Sequence, residues 1–242
     1  MSVPAGTRTV LITGAAMGIG QACAERFLTE GWGVLGWDVR PGEDERVSWT
    51  TVDVSDWDAV EAAAAEVPAL QAVVNCAAIA LLTPTLEMTR EQWDRTIAIN
   101  LNGAYYVSRH LFPALKAGQG VLVHVASVNS KNTTRYRAPY NCSKAGVVSL
   151  AQALAVEWAL ADSGVRVVTV SPGLTRTAPA MERVESGIID EETLLGRVPM
   201  RRWIEPAEIA AAIVRLVGSE FAALHGSNVF LDAGYDAWGG HF

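Results

Sequence analysis

Tyr140 and Lys144 stand four residues apart, so on a helix their side chains lie on the same face. The phenol of tyrosine ordinarily has a pKa of about 10, and a neighbouring ammonium lowers that pKa by stabilising the phenolate. Such a pair can accept a proton from an alcohol near neutral pH. The spacing alone is a weak signal, because a solvated surface pair explains most chance occurrences of it.

Ser127 adds a polar group to this candidate site. It follows an apolar run over residues 120–125, which has the length of a buried strand. Open α/β sheets place their sites beyond the carboxyl ends of such strands, where a serine hydroxyl can stabilise charge on a reacting oxygen. The alternative is a loop serine that hydrogen-bonds the local backbone.

The turn between the first strand pattern and the first helical pattern is rich in glycine and reads TGAAMGIG over residues 13–20. Glycine permits a tight turn and the close approach of a pyrophosphate, and the start of the helix presents free N–H groups. We therefore predict a dinucleotide site with contacts from Gly14, Met17, Gly18, Ile19 and Gly20. The alternative is a ligand-free loop whose glycines only permit positive φ.

Acidic and amide side chains follow the next three strand patterns. Asp38 ends the second, where its carboxylate can accept both hydroxyls of an adenosine ribose and repel a 2′-phosphate, so NAD is predicted over NADP. Arg40 weakens this exclusion, since a guanidinium can bind phosphate. Asp53 and Val54 are placed to hold the adenine edge, and Asn75 to steady the adjoining backbone.

Strand-length apolar runs alternate along the chain with segments of helical period. Strands are predicted over residues 9–12, 33–37, 47–52, 72–74, 120–125, 165–170 and 227–231, and helices over 18–30, 57–66, 91–116, 140–161 and 206–218. Continuous apolar strands separated by helices predict a parallel sheet covered on both faces. The expected fold is one α/β domain over residues 1–242, a Rossmann-type doubly wound sheet of about seven strands, with a lid candidate at 175–203.

Composition limits the classes of function. Half of the 242 residues are apolar, and a net charge of −7 argues against a broad nucleic-acid surface. Three distant cysteines and four histidines without ligand spacing predict no disulfide framework and no metal site. No apolar stretch has the length of a membrane span, and the first six residues are too short and polar for a signal peptide, so we expect a cytoplasmic protein.

Taken together, these motifs resemble the short-chain dehydrogenase/reductase family over essentially the whole chain. The resemblance rests on residues 13–20, Asp53, Asn75, Asn100, Ser127, 140–144 and 171–173, in that order and spacing. The family's NNAG segment reads Asn75-Cys76-Ala77-Ala78 here, so one glycine is replaced by alanine.

The resemblance implies a role for each matched residue. Tyr140 would take the alcohol proton as hydride passes to the nicotinamide, and Lys144 would lower the pKa of Tyr140 and bind the nicotinamide ribose. Ser127 would orient the substrate oxygen, and Asn100 would support a water relay to Lys144. The nicotinamide would be framed by Pro172, Gly173, Leu174 and Thr177.

Arginines recur where substrate loops are expected, and guanidinium groups bind carboxylates with a fork geometry. Arg137, Arg183 and Arg202 resemble the arrangement in the 3-hydroxybutyrate and 2-keto-3-deoxy-sugar-acid branch of the family, which implies a small hydroxy carboxylate substrate. One alternative is a neutral sugar, polyol or secondary-alcohol dehydrogenase with these arginines on the surface. Another is an NAD-sensing regulator without catalysis, which would not need Ser127, Tyr140 and Lys144 at this spacing.

Assembly is predicted from the two long helical patterns. The resemblance implies a homotetramer built on them, with Tyr105, Tyr106 and Trp158 either facing a partner or lying in the core of one subunit. The aromatic tail over residues 235–242 is a candidate to reach a neighbour's site.

Overall fold

The computed structural model describes residues 6–238, so residues 1–5 and the last four residues of the aromatic tail lie outside the described part. Seven parallel strands form one sheet in the order β3-β2-β1-β4-β5-β6-β7. The strands are β1 Thr9–Thr13, β2 Gly33–Asp38, β3 Ser48–Thr51, β4 Ala72–Asn75, β5 Val121–Val125, β6 Arg166–Pro172 and β7 Asn228–Leu231. The predicted fold class is confirmed.

Nine helices are seen in residues 6–238. They are α1 Gly18–Thr29, α2 Trp57–Ala65, α3 Arg90–Ile97, α4 Gly103–Gly118, α5 Ala138–Leu160, α6 Ala178–Glu185, α7 Glu191–Leu195, α8 Pro206–Leu216 and α9 Tyr235–Trp238. Short 3₁₀ helices cover Val128–Ser130 and Ser219–Leu224.

The central strands are buried on both faces, which explains why they are apolar without alternation. One face packs on α1 and α8 through a core that includes Phe27 and Ile213. The other packs on α2, α4 and α5 through a core that includes Leu111 and Leu154. Two covered faces leave the carboxyl edge of the strands free for side chains that act on a ligand.

The helix predicted over 91–116 is divided in the structure. Helix α3 starts with a capping box between Thr89 and Gln92, and a π-helical turn over Ala98–Asn102 separates it from α4. A π turn inserts one residue into the helical repeat and is frequent at functional sites. Here it carries Asn100.

The lid candidate at 175–203 contains α6 and α7, and it is anchored where Thr175 bridges to Ile204.

Trp158, proposed as a core or partner residue, is buried and packs on Phe112 with ring centroids 4.6 Å apart. Tyr105 is 42% exposed. No helix within residues 6–238 has the length and apolarity needed to cross a membrane.

Candidate active site

The glycine-rich turn leaves no room for side chains. A Cβ at Gly20 would lie 2.0 Å from the carbonyl oxygen of Gly14, and one at Gly14 would lie 2.9 Å from the backbone of Ala77. Gly14 and Gly18 both have positive φ, which glycine adopts at no steric cost. The start of α1 has neither a side-chain cap nor an acidic residue in its first turn. The turn therefore fits the pyrophosphate of a dinucleotide.

Around this turn, Met17 is exposed at the entrance to α1 and Ile19 packs against the core. Asp38 ends β2, and its Oδ2 accepts a hydrogen bond from the backbone N–H of Ala16 at 3.0 Å. The carboxylate is thus fixed to the glycine-rich turn, with its second oxygen at 3.5 Å from the N–H of Arg40. A negative charge held there favours ribose hydroxyls over a 2′-phosphate.

Asp53 and Val54 follow β3 and border the same end of the sheet. Ser55 donates two hydrogen bonds to Asp53, from its hydroxyl at 2.6 Å and from its N–H at 2.9 Å, and these bonds lower the pKa of the Asp53 carboxyl. Val54 is buried, and a Cβ at Gly103 would lie 2.8 Å from it, so Gly103 lets α4 approach this loop.

Asn75 lies at the end of β4, where it steadies the backbone beside the turn. It accepts a hydrogen bond from the hydroxyl of Thr13 at 2.8 Å, and that hydroxyl in turn accepts from the N–H groups of Cys76 and Ala77 at 3.2 Å. Ala78 is exposed and has no positive φ, so its methyl group fits where the family has glycine.

Ser127 and Tyr140 come together at the carboxyl end of β5. The Ser127 hydroxyl accepts a hydrogen bond from Asn129 N–H at 3.1 Å and also hydrogen-bonds the Tyr140 side chain. Burial raises the pKa of the Tyr140 phenol above its ordinary value, while the bond from Ser127 and the charge of Arg137 act in the opposite direction.

Lys144 lies one turn along α5 and is buried, with 4% of its surface exposed. Its ammonium donates to the carbonyl oxygen of Val125 at 2.8 Å and lies 5.8 Å from the centre of the Tyr140 ring. Burial lowers the pKa of Lys144 to about 8, with a smaller opposing effect from Cys76. The structure thus places Ser127, Tyr140 and Lys144 together, as predicted.

Asn100 lies in the π-helical turn and is almost fully buried. Its side-chain oxygen accepts from the N–H of Ile79 at 2.8 Å, and its amide donates to the carbonyl of Ile79 at 2.9 Å and to Ser143 at 3.1 Å. Asn100 therefore ties the segment after β4 to α5, one residue from Lys144.

The residues expected to frame the nicotinamide lie at the end of β6. Pro172 ends that strand, and a Cβ at Gly173 would lie 2.8 Å from the backbone of Asp232. The carbonyl of Leu174 accepts from Ile204 N–H at 2.8 Å. Thr177 precedes α6, and its methyl group would lie 3.6 Å from a Cβ at Gly18, which places it beside the glycine-rich turn.

Only two of the three predicted substrate arginines are brought together. Arg137 immediately precedes α5, its guanidinium lies 5.7 Å from the Tyr140 ring centre, and its buried Nε has no hydrogen-bond partner. Arg183 donates to the carbonyl of Ala80 at 2.6 Å. Burial lowers the pKa of Arg137, the Tyr140 phenol acts in the opposite direction, and the charge of Arg183 lowers the pKa further by a smaller amount. Arg202 instead forms a two-bond ion pair with Glu208 at 2.7 and 2.8 Å.

Two buried amides that support the site were not predicted. Asn129 donates to Asn141 at 3.0 Å, and Asn141 donates to the carbonyl of Thr134 at 3.0 Å. These bonds join the turn that follows Ser127 to the first turn of α5, which carries Tyr140. The available signal was the position of Asn141 directly after Tyr140, within residues 140–144.

Known proteins resemble this chain over almost its whole length. A family model described as enoyl-(acyl carrier protein) reductase matches residues 14–236. The chain belongs to the short-chain dehydrogenase/reductase family. Members of this family are oxidoreductases that use a nicotinamide cofactor.

Three relatives in the short-chain dehydrogenase/reductase family are each 33% identical to this chain. They are D-threitol dehydrogenase of Mycolicibacterium smegmatis (94% of this chain, 92% of the relative), galactitol 2-dehydrogenase of Cereibacter sphaeroides (94% and 94%) and cis-4-hydroxycyclohexanecarboxylate dehydrogenase of Sinomonas cyclohexanicum (95% and 97%). A solved actinorhodin polyketide ketoreductase with NADPH matches with a TM-score of 0.86 at 28% identity, over 98% of this chain and all of that one. These relatives do not single out the 3-hydroxybutyrate-type branch.

Proposed function

We propose that the protein transfers a hydride between a secondary alcohol carbon of a small polyol, sugar or related alcohol and NAD. The observation that carries this is the meeting of Ser127, Tyr140 and Lys144 at the carboxyl edge of the sheet, beside a glycine-rich turn. The similarity to threitol and galactitol dehydrogenases supports a hydroxylated neutral substrate over the hydroxy acid first expected.

In this proposal the bound nicotinamide supplies the hydride acceptor or donor. Tyr140 takes the proton of the alcohol through its phenolate oxygen, and Ser127 holds the alcohol oxygen in place. Lys144 would hold the nicotinamide ribose, Asn100 would support a water relay to Lys144, and Asp38 would favour the unphosphorylated adenosine ribose. Catalysis rests on these positions because the barrier falls when reacting groups are held at contact distance.

The test is reduction of NAD and of NADP, in parallel, by a panel of polyols, sugars and cyclic secondary alcohols. Tyr140→Phe is the matched variant, since it removes one hydroxyl and keeps the ring. We expect turnover with NAD to fall by at least about 10³-fold in this variant, while cofactor affinity measured by NADH fluorescence is retained. Cofactor binding without turnover of any substrate by the wild type would favour the NAD-sensing regulator instead.

A hydroxy carboxylate is the second candidate substrate, and a specific observation favours it. The buried Nε of Arg137 lacks a partner, and a second guanidinium, Arg183, lies close enough to perturb it. A substrate carboxylate would stabilise these two neighbouring cations, of which Arg137 lies beside Tyr140. The relative that acts on cis-4-hydroxycyclohexanecarboxylate is consistent with this reading.

Pairs of substrates that differ only in a carboxylate decide between the two candidates. If the substrate is an acid, Arg183→Gln raises KM for the acid by about 10-fold or more and leaves KM for the neutral partner unchanged. Equal effects on both members of each pair would assign Arg183 to the fold through its bond to Ala80.

We also propose self-association through the outer faces of α4 and α5, as the family resemblance implies. Tyr105, Val156 and Leu160 are exposed apolar side chains on these helices. Sedimentation velocity gives the number of subunits, and a monomer at all concentrations would refute this proposal.

A further inference from the structure

Two cations flank the ring of Tyr140. The ammonium of Lys144 lies 5.8 Å from the ring centre, and the guanidinium of Arg137 lies 5.7 Å from it. At nearly equal distances, each cation stabilises the phenolate for as long as it keeps its own charge.

The two cations differ in this respect. The pKa of Lys144 is lowered to about 8, because the ammonium is buried, and its hydrogen bond is directed to the carbonyl of Val125. Burial also lowers the pKa of Arg137, but arginine starts so high that it stays charged throughout the working range of an enzyme. Arg137 therefore keeps a full positive charge beside the phenol at every working pH, in addition to the ammonium of Lys144.

The charge of Arg137 is not neutralised by the described part of the chain. Its Nε has no hydrogen-bond partner, and among the groups of the described chain that act on it the only acidic one is the phenol of Tyr140 itself. The other titratable groups around Tyr140 do not supply the positive charge that Arg137 supplies. Arg183 on α6 acts on Arg137, and Cys76 after β4 acts on Lys144. His124 on β5 has a pKa of about 3 and is neutral.

The backbone fixes the position of Arg137. The preceding residue, Tyr136, is in the left-handed region with φ of 66°, which is uncommon for a residue with a side chain. Its carbonyl accepts a hydrogen bond from Thr83 N–H at 2.9 Å, so the strained residue is tied to the segment after β4. Arg137 then immediately precedes α5, three residues before Tyr140.

We propose that Arg137 is a positioning residue for catalysis, the permanent cation that holds Tyr140 ready to act as a base. This role rests on the proposed dehydrogenase function but differs from binding a substrate carboxylate, because it operates on neutral alcohols as well.

The first experiment is the pH profile of kcat/KM for oxidation of a neutral alcohol at saturating NAD. Replacing Arg137 with Gln shifts the ascending limb to higher pH by about one unit, the effect of a unit charge roughly 6 Å away in a partly solvated site. On that limb kcat/KM then falls about 10-fold, while the plateau at high pH is retained. Arg137→Lys keeps most of the wild-type profile until that lysine loses its own proton.

Arg135→Gln is the matched control, because it removes the same charge from the same loop while stacking on Tyr136 at 5.3 Å, not on Tyr140. We expect Arg135→Gln to leave the ascending limb of the pH profile of kcat/KM unchanged. A limb that is unmoved in Arg137→Gln, with only KM raised, overturns the proposal and leaves Arg137 as a substrate ligand.

The second experiment does not need turnover. Ultraviolet titration of phenolate absorbance, with Tyr140→Phe subtracted in each background, isolates the Tyr140 component. We expect the midpoint of the Tyr140 titration to move to higher pH in Arg137→Gln and to be unchanged in Arg135→Gln. Coincident curves in the folded wild type and Arg137→Gln refute the proposal even if the protein oxidises no alcohol, and Arg137→Lys serves if the Gln variant fails to fold.

Discussion

At pH values below about 8, the buried ammonium of Lys144 should lower the free energy of unfolding of the protein. In more alkaline solution the ammonium loses its proton and this cost disappears. Its pKa is about 8 in the folded chain, whereas the ordinary value for lysine is 10.5. At about 1.36 kcal/mol per pH unit between these two values, burying the ammonium costs about 3 kcal/mol at neutral pH. Between about pH 8 and 10.5 the unfolded chain binds more protons than the folded one, so the free energy of unfolding rises with pH in this window.

Lys144→Met removes this contribution, because methionine has a similar length and no charge. It also leaves the carbonyl of Val125 without its hydrogen bond, which costs about 1–3 kcal/mol. At pH about 7 the variant is therefore as stable as the wild type or up to about 2 kcal/mol more stable, although inactive. Near pH 10.5 it is less stable, since only the lost hydrogen bond remains.

The measurement is urea unfolding followed by circular dichroism at intervals between about pH 7 and 10.5. The difference in free energy of unfolding between variant and wild type should change by about 3 kcal/mol over this range. Lys116→Met is the control, because Lys116 is exposed at the end of α4. Parallel curves for wild type and Lys144→Met would show that the ammonium is not buried as the structure describes.

Three further outcomes are expected. Gly20→Ala places a methyl group 2.0 Å from the Gly14 carbonyl, so NADH affinity falls and the melting temperature drops; unchanged affinity would contradict the packed turn. His124, with a pKa lowered to about 3 by burial, makes the fold lose up to about 4–5 kcal/mol as pH falls from 6.5 to 3, and His124→Gln should flatten that loss in acid unfolding curves. Asp38→Asn keeps the acceptor for Ala16 but removes the charge, so kcat/KM with NADP should rise at least about 10-fold relative to NAD; an unchanged ratio would show that Asp38 does not select the cofactor.

The sheet could be predicted from the sequence because its signals are local. Residues 72–74 are a continuous apolar run and residues 120–125 are interrupted only by His124, and such runs are buried wherever they lie in a doubly wound sheet. The glycine-rich turn was predictable for a related reason: Gly14 and Gly20 are required by backbone contacts within that turn and its neighbouring strand.

The direction of individual side chains could not be predicted. Arg202 and Arg183 are equally plausible substrate ligands in the sequence, but Glu208 follows Arg202 at a distance that allows an ion pair across the start of α8. In the same way, the pairing of Lys144 with the carbonyl of Val125 depends on how closely α5 packs on β5. Contacts of this kind are set by the tertiary structure, which residue spacing does not encode.

The π-helical turn at Ala98–Asn102 allows one continuous stretch of chain to contact two different parts of the structure. An α-helix advances its faces by about 100° per residue, so the single extra residue rotates α4 relative to α3 by roughly that angle. Helix α4 can then follow its packing against α2 while Asn100 faces the segment after β4. Deleting one residue from this turn would restore a regular helix and force one of the two sets of contacts to be lost, so length at this point is constrained more strictly than residue type.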